Sequence, residues 1–371
     1  MSTKINNQKD FTNLCKSITT DDLVAFDLEF MNNKTFYPIL CLIQINISDK
    51  QTYIIDPFFD GFSIKPFAKI LQNKKIKKIL HSSFQDFVVL YKETKIKPKS
   101  VFDTQMMANF LGFDFNISYC NLVKSFLGEE LSKELQRSNW KNRPLSDMQL
   151  EYAAIDVKYL VKIYKIMEDR LVESGKLKYC IKEANEFSKR KEYDLEKQDP
   201  CKKFSFVNKS IQYEKNIKAL VKWRDEIARD KNIPRSFILN NVNLDKISKS
   251  NIEKIESLEK VVKINQIKIG AGNKDKIFEI LKKNRLSPEK GRKIKNIANK
   301  IEKKHKKIYQ KTQELLIKAS KDSNIAPELI ARSSDLRNII LENTSVKSVL
   351  KGWRYKLFGK DLKIFLKKFS C

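Results

Sequence analysis

The chain has 371 residues, enough for two or three domains rather than one. A hydrophobic content of 41% excludes wholesale disorder, and nine Gly and nine Pro exclude a collagen-like or low-complexity chain. The net charge of +29 is unevenly placed: residues 1–200 carry 31 basic and 27 acidic side chains, residues 201–371 carry 43 and 18. An even spread would be compositional bias; an excess confined to the second half points to a polyanionic partner there. No apolar run approaches the ~18 residues of a membrane span. The opening Met1–Gln8 is too polar for a signal peptide. Six scattered cysteines, none in C-x-x-C spacing, fit reduced thiols. The expectation is a soluble cytoplasmic protein with no membrane partner.

In chain order, Leu23–Phe30, Ile39–Ile47 and Thr52–Ile55 read as strands, parted by the turn signals Asn32-Asn33 and Ser48-Asp49. Their short connections predict an antiparallel meander. A helix over Ile64–Gln72, a strand over Ile76–Leu80, a helix over Ser83–Tyr91 and a strand at Val101–Asp103 follow. Strands first and strand–helix alternation after them predict a mixed sheet flanked by helices. From Ser146 the strand signal stops. Ser146-Asp147-Met148-Gln149 is a capping box, and the helix it opens is expected to run on through Tyr152, Ile155, Tyr159, Ile163 and Ile166. Lys189–Lys203 reads as a linker, and two helical modules are expected beyond it. Lys282–Lys307, with twelve basic and two acidic residues, suits nucleic-acid contact or a solvated helix face equally.

Asp27 and Glu29 stand two apart in Val24-Ala25-Phe26-Asp27-Leu28-Glu29-Phe30, so on a strand both project from one face. Phe26, Leu28 and Phe30 are expected to fill the opposite face. Two carboxylates on an interior strand repel and resist desolvation unless a cation, either a metal or a lysine, neutralises them. Asp86 lies where a strand hands over to a helix, as a site residue or as a partner of the helix dipole. His81 is read as a supporting residue. Tyr152 and Asp156, at i and i+4, share one helix face. The four acids together make an all-oxygen set suited to Mg²⁺ or Mn²⁺. P-loop and G-x-S-x-G patterns are absent.

Phe26–Phe30, His81–Asp86 and Arg143-Pro144-Leu145-Ser146 with Glu151–Leu160 closely resemble the three exonuclease motifs of the ribonuclease D family. These are DEDD exonucleases of the subgroup with tyrosine in the third motif. Tyr37-Pro38, Leu42-Ile43-Gln44, Ile55-Asp56-Pro57 and Phe102-Asp103-Thr104-Gln105 are similar to further family signatures. Ala219–Arg229 with Ile233-Pro234 and Phe237-Ile238 resembles an HRDC domain. Ile325–Ala331 with Gly352-Trp353-Arg354 is similar to a second, divergent copy. Leu28 departs from the threonine frequent in the family. Trp223 and Trp353 are expected in the helix-bundle cores.

The resemblance implies an α/β ribonuclease H-like exonuclease domain over 1–203, an HRDC domain over 207–285 and a divergent HRDC-like helical domain over 286–371. It implies 3′→5′ hydrolysis of RNA, tRNA precursors included, with two Mg²⁺ or Mn²⁺ ions per site and no obligate protein partner. Asp27, Glu29 and Asp156 would hold the ion that activates water. Asp27 would bridge to a second ion supported by Asp86 through water, Tyr152 would orient the attacking water, and His81 and Asp103 would stand behind them. A DNA exonuclease and an inactive RNA-binding scaffold are the alternatives. A chain ending near Lys203 is expected to keep its fold.

Overall fold

The computed structural model describes residues 2–132, 138–204, 206, 209–261, 271–285, 303–341 and 344–368. The chain forms two compact units. One comprises Met1–Phe30, Leu40–Tyr193 and Ile301–Cys371; the other comprises Met31–Ile39 and Asp194–Lys300.

The first unit is built on a six-stranded mixed sheet. Its elements are β1 (Ser2–Ile5), α1 (Gln8–Ser17), β2 (Leu23–Met31), β3 (Ile39–Ile47), β4 (Gln51–Ile55), α2 (Lys65–Gln72), β5 (Lys77–Leu80), α3 (Phe84–Thr94) and β6 (Val101–Asp103). Helices α4 (Thr104–Phe110), α5 (Tyr119–Leu127), α6 (Asp147–Lys158), α7 (Leu160–Glu173) and α8 (Leu177–Ser188) follow. The strand order is β1-β4-β3-β2-β5-β6. β3 and β4 are antiparallel across a tight turn in which Ser48 and Asp49 both adopt positive φ. That backbone matches the twist of the strands it joins. β5 runs parallel to β2 and β6 parallel to β5, the arrangement that crossover helices permit.

Three expectations change. β1 is an edge strand parallel to β4; with only Ile5 buried, its sequence carries no apolar alternation to reveal it. Phe26 and Leu28 are buried as expected, but Phe30, next to the end of β2 at Met31, is only partly buried. The helix opened by the capping box does not continue through Tyr159; it breaks there into α6 and α7.

The third segment of this unit, Lys303 onward, is helical: Lys303–Ser323, Pro327–Ile330, Ser333–Leu341, Val346–Val349 and, beyond a π-turn, Lys360–Lys367. Leu329, Ile330, Leu336, Trp353, Phe358 and Leu362 enter one core with Phe110 of α4 and Tyr164 and Met167 of α7. The Trp353 ring lies 5.2 Å from that of Phe110. Lys176 donates to the carbonyls of Phe110 and Asn324, and Ala326 N–H donates to Asn109 O at 2.8 Å. Each large apolar side chain withdrawn from water is worth ~1.5–3 kcal/mol, against a whole-domain stability of ~5–15 kcal/mol. A chain ending near Lys203 would lose this half of the core, so the expectation that it keeps its fold is withdrawn.

The second unit is helical, with Ile211–Asp230, Arg235–Ile238, Asn241–Lys249, Ile255–Val261 and Ala271–Asn284 around Ile217, Leu220, Val221, Trp223, Leu244 and Ile247. Trp223 and Trp353 are both buried, as core residues. Much of the lysine-rich stretch, residues 286–302, and with it the expected boundary at 286, lies outside the described residues.

Candidate active site

β2 lies between β3 and β5. Ala25, on the face that also carries Asp27 and Glu29, is fully buried in the core shared with α4 and α7. Beyond Ala25 the helical cover gives way to a cavity of about 410 Å³, lined by Asp27, Glu29, His81, Tyr119, Tyr152 and Asp156 among others. One carboxylate oxygen from each of Asp27, Glu29 and Asp156 lies within 4.8 Å of the others, close enough to hold one metal ion. The fold thus brings Asp27 and Glu29 of one strand together with Asp156 from a helix some 130 residues on.

Asp86 stands apart from that triad. It sits in the first turn of α3, 5% exposed, and accepts backbone N–H bonds from its own residue and from Leu28. α3 is pinned by rings: Phe87 lies 5.7 Å from Phe187 and 5.2 Å from Tyr193. Asp103 fixes the turn that precedes it. Its carboxylate accepts from the N–H groups of Ser82 and Ser83 and from the Ser83 hydroxyl, while capping α4 through Gln105 and Met106. Ser82, held at positive φ, makes that turn tight.

Among the described residues no lysine or arginine pairs with Asp27, Glu29, Asp86 or Asp156. Burial pushes the pKa of all four up, and repulsion from neighbouring carboxylates adds to the rise at Glu29, Asp86 and Asp156. Hard oxygen ligands whose charge is unbalanced by protein cations are the donor set a divalent ion completes. Tyr152 hydrogen-bonds Asp156 and is held protonated by burial and by the neighbouring carboxylates. Its ring packs 6.1 Å from Trp140. The loop carrying Trp140 is clamped by Arg143, whose guanidinium donates to Asp56 at 2.8 Å and to the Cys41 carbonyl. Arg143 and Asp56 belong to separate family motifs in the sequence, and this clamp joins them.

His81 sits at the cavity wall. Its Nε2 lies 3.2 Å from Ile117 O, to which it donates, and its Nδ1 2.9 Å from Thr104 Oγ1. Burial lowers its pKa and favours the neutral ring. Tyr119, 5.7 Å from His81 ring to ring, lines the same cavity and escaped sequence reasoning altogether.

A 3′-5′ exonuclease family model matches residues 2–172, and the HRDC domain model matches residues 214–271. Ribonuclease D of Sphingobium indicum is 30% identical, covering 96% of this chain and 92% of the relative. The chain belongs to the ribonuclease D family. Ribonuclease D of Zymomonas mobilis is also 30% identical, over 94% of this chain and 90% of that one. The fold of Escherichia coli RNase D, described as an exoribonuclease involved in structured RNA processing, matches with a TM-score of 0.84 at 22% identity over all of both chains. The catalytic core of RRP6 from Trypanosoma brucei matches 76% of this chain and 79% of that one, with a TM-score of 0.60 at 20% identity. As a ribonuclease D-family protein the chain is an enzyme hydrolysing phosphodiester bonds, and the acid-lined cavity is its candidate metal site. Among the described residues no helix is long and apolar enough to cross a membrane.

Proposed function

We propose that this ribonuclease D-family chain is a cytoplasmic, metal-dependent exoribonuclease that removes 5′-mononucleotides from the 3′ ends of structured RNAs, tRNA precursors foremost. The observation that carries the reading is the convergence of Asp27, Glu29 and Asp156 at one cavity with, among the described residues, no lysine or arginine paired to balance them. These three would hold one divalent ion, Mg²⁺ or Mn²⁺; Asp27, and Asp86 through water, would support a second. Such ions supply Lewis acidity that lowers the pKa of a bound water and stabilise charge on the leaving 3′-oxygen.

The remaining work falls to protein groups. The carboxylates, their pKa values raised while cation-free, release protons as cations arrive, so metal loading favours higher pH. Tyr152 keeps its proton at neutral pH; it orients the attacking water through its hydroxyl and does not act as a base. Asp103 and neutral His81 hold the turn and the cavity wall. The basic excess of residues 201–371 would grip the RNA body, with 207–285 as the HRDC domain and 286–371 as a divergent HRDC-like domain beside the exonuclease domain over 1–203.

The test is digestion of a 3′-extended tRNA by the full chain in Mg²⁺ or Mn²⁺, with product lengths resolved. Matched RNA and DNA oligonucleotides are run alongside, with EDTA and Asp27→Ala as controls. Stepwise 3′ shortening of the RNA that EDTA and Asp27→Ala abolish is expected. Failure to release 5′-mononucleotides would overturn the proposal, and equal degradation of DNA would overturn its RNA specificity.

A further inference from the structure

The break between α6 and α7 has a physical cause. In an unbroken helix the Tyr159 N–H would donate to Ile155 C=O four residues back. Here it turns instead to Val157 O and to the Tyr119 hydroxyl at 3.2 Å, and that hydroxyl donates to Ile155 O at 3.0 Å. A phenol from α5, about forty residues upstream, is inserted into the hydrogen-bond ladder. Side chains inserted in this way are a recognised source of helix kinks. The opened bond flanks Asp156, the residue after Ile155.

What each side of the break is anchored to decides which side moves. α7 is locked in the core by Leu160, Val161, Ile163, Tyr164 and Met167, all buried. α6 buries only Ala153 and Val157. The angle at Tyr159 therefore decides where the last turn of α6, with Tyr152 and Asp156 on it, meets β2. Tyr119 is itself held firmly. Ser118 caps α5 through Asn121 N–H, and the adjoining Ile117 carbonyl accepts from both His81 Nε2 and Gln105 Nε2.

We propose that Tyr119 is a positioning residue for hydrolysis: its hydroxyl holds the helix open at Tyr159 and so sets the Asp156 carboxylate against Asp27 and Glu29. Without the hydroxyl, Ile155 C=O loses its partner and Tyr159 N–H keeps only Val157 O, so the ordinary bond between residues four apart can re-form. The ladder closes, α6 swings towards the axis of α7, and the triad is displaced. The inference rests on the metal reading of the triad given above.

The test is Tyr119→Phe in the full chain, which deletes one oxygen. Mn²⁺ affinity is measured by calorimetry, amide hydrogen exchange across residues 155–160 without metal, and turnover on a short RNA. Loss of a group that orients a metal ligand typically costs ~10–100-fold in affinity. The expected result is a Mn²⁺ Kd raised at least ~10-fold, slower exchange at Tyr159 as the ladder closes, and a fall in kcat with KM for RNA held. Tyr213→Phe, which removes a phenol bonded to Asp245 in the helical unit, should leave all three readouts at wild-type values. Ser118→Ala, which loosens the cap that aims α5, should move Mn²⁺ affinity in the same direction by less, and it serves if Tyr119→Phe does not fold. Unchanged Mn²⁺ affinity in a folded Tyr119→Phe, or in Ser118→Ala where the first is unfolded, overturns the proposal. If the wild-type chain itself binds no Mn²⁺, the metal reading fails instead, and exchange at Tyr159 still reports whether the hydroxyl holds the helix open.

Discussion

Asp86 in the sheet unit and Asp225 in the helical unit are almost equally buried, at 5% and 4% exposure. Asp225 lies between the guanidinium groups of Arg229 and Arg235, each in direct ion-pair contact. Among the described residues, Asp86 and the three cavity acids meet no lysine or arginine, only backbone N–H groups, a phenol and other carboxylates. Burial is common to both places. The charge of the neighbours alone makes one acid a structural rivet and leaves the others uncompensated, as the proposed metal site requires. Neutralising an acid should accordingly act in opposite directions in the two regions.

The sharpest way to break this comparison is Asp156→Asn. Activity on RNA should fall by at least ~100-fold, since a ligand is worth no less than the groups that merely orient one. RNA affinity should hardly change, because no basic surface is touched, and the metal-free protein should melt at a higher temperature because a repelled charge has gone. Retention of a tenth of wild-type activity would remove Asp156 from the metal. In the helical unit Asp225→Asn should do the reverse. Removing one partner of a buried ion pair costs ~3–5 kcal/mol; with both arginines more than a quarter exposed, about 2–3 kcal/mol is expected. Urea denaturation measures it, and an unaltered midpoint would deny Asp225 its structural role.

Metal and pH sharpen the comparison further. The raised pKa values mean that the folded, metal-free cavity binds more protons than the unfolded chain from about pH 4 up through the values reached by Asp27, pushed up to about 7, Asp156, to about 8, and Glu29, to about 10. Stability falls with rising pH wherever the folded state binds the excess protons. This contribution is therefore favourable at low pH and lost as pH climbs through that window. Divalent ions take the place of the protons, so the rise in Tm on adding Mn²⁺ should be larger at pH 8 than at pH 6. A rise independent of pH would mean the ions bind elsewhere. The smallest effect is expected of Tyr152→Phe: a loss of roughly 10-fold in kcat, well short of any acid deletion, because the metals still polarise the water. An unchanged rate would remove the phenol from the mechanism.

The acids were legible because strand alternation and i, i+4 spacing are local rules: Asp27 with Glu29, and Tyr152 with Asp156, each obey one. The capping box at Ser146 was legible for the same reason, and both of its hydrogen bonds form. What stayed hidden depends on distant partners. β1 pairs with residues fifty positions on, the helix break at Tyr159 needs Tyr119, and the Arg143 clamp needs Asp56. The tryptophans were assigned correctly to cores, but nothing near Trp353 says that its core is that of α4 and α7.

That shared core has a consequence for synthesis. A ribosome delivers the sheet and α1–α8 first, then the helical unit, and only at the end the helices that include Trp353, Phe358 and Leu362. Until they emerge, the apolar faces of α4 and α7 stand open to water, and contacts spanning two hundred residues are slow to close. The helical unit, already joined by Met31–Ile39 from the earlier part of the chain, can fold meanwhile, as domains generally fold as units. A message cut short before the codons for Trp353, Phe358 and Leu362 would therefore yield a chain with its four acids in sequence but without a finished catalytic core. Such products should be cleared by proteolysis rather than persist as unregulated nucleases.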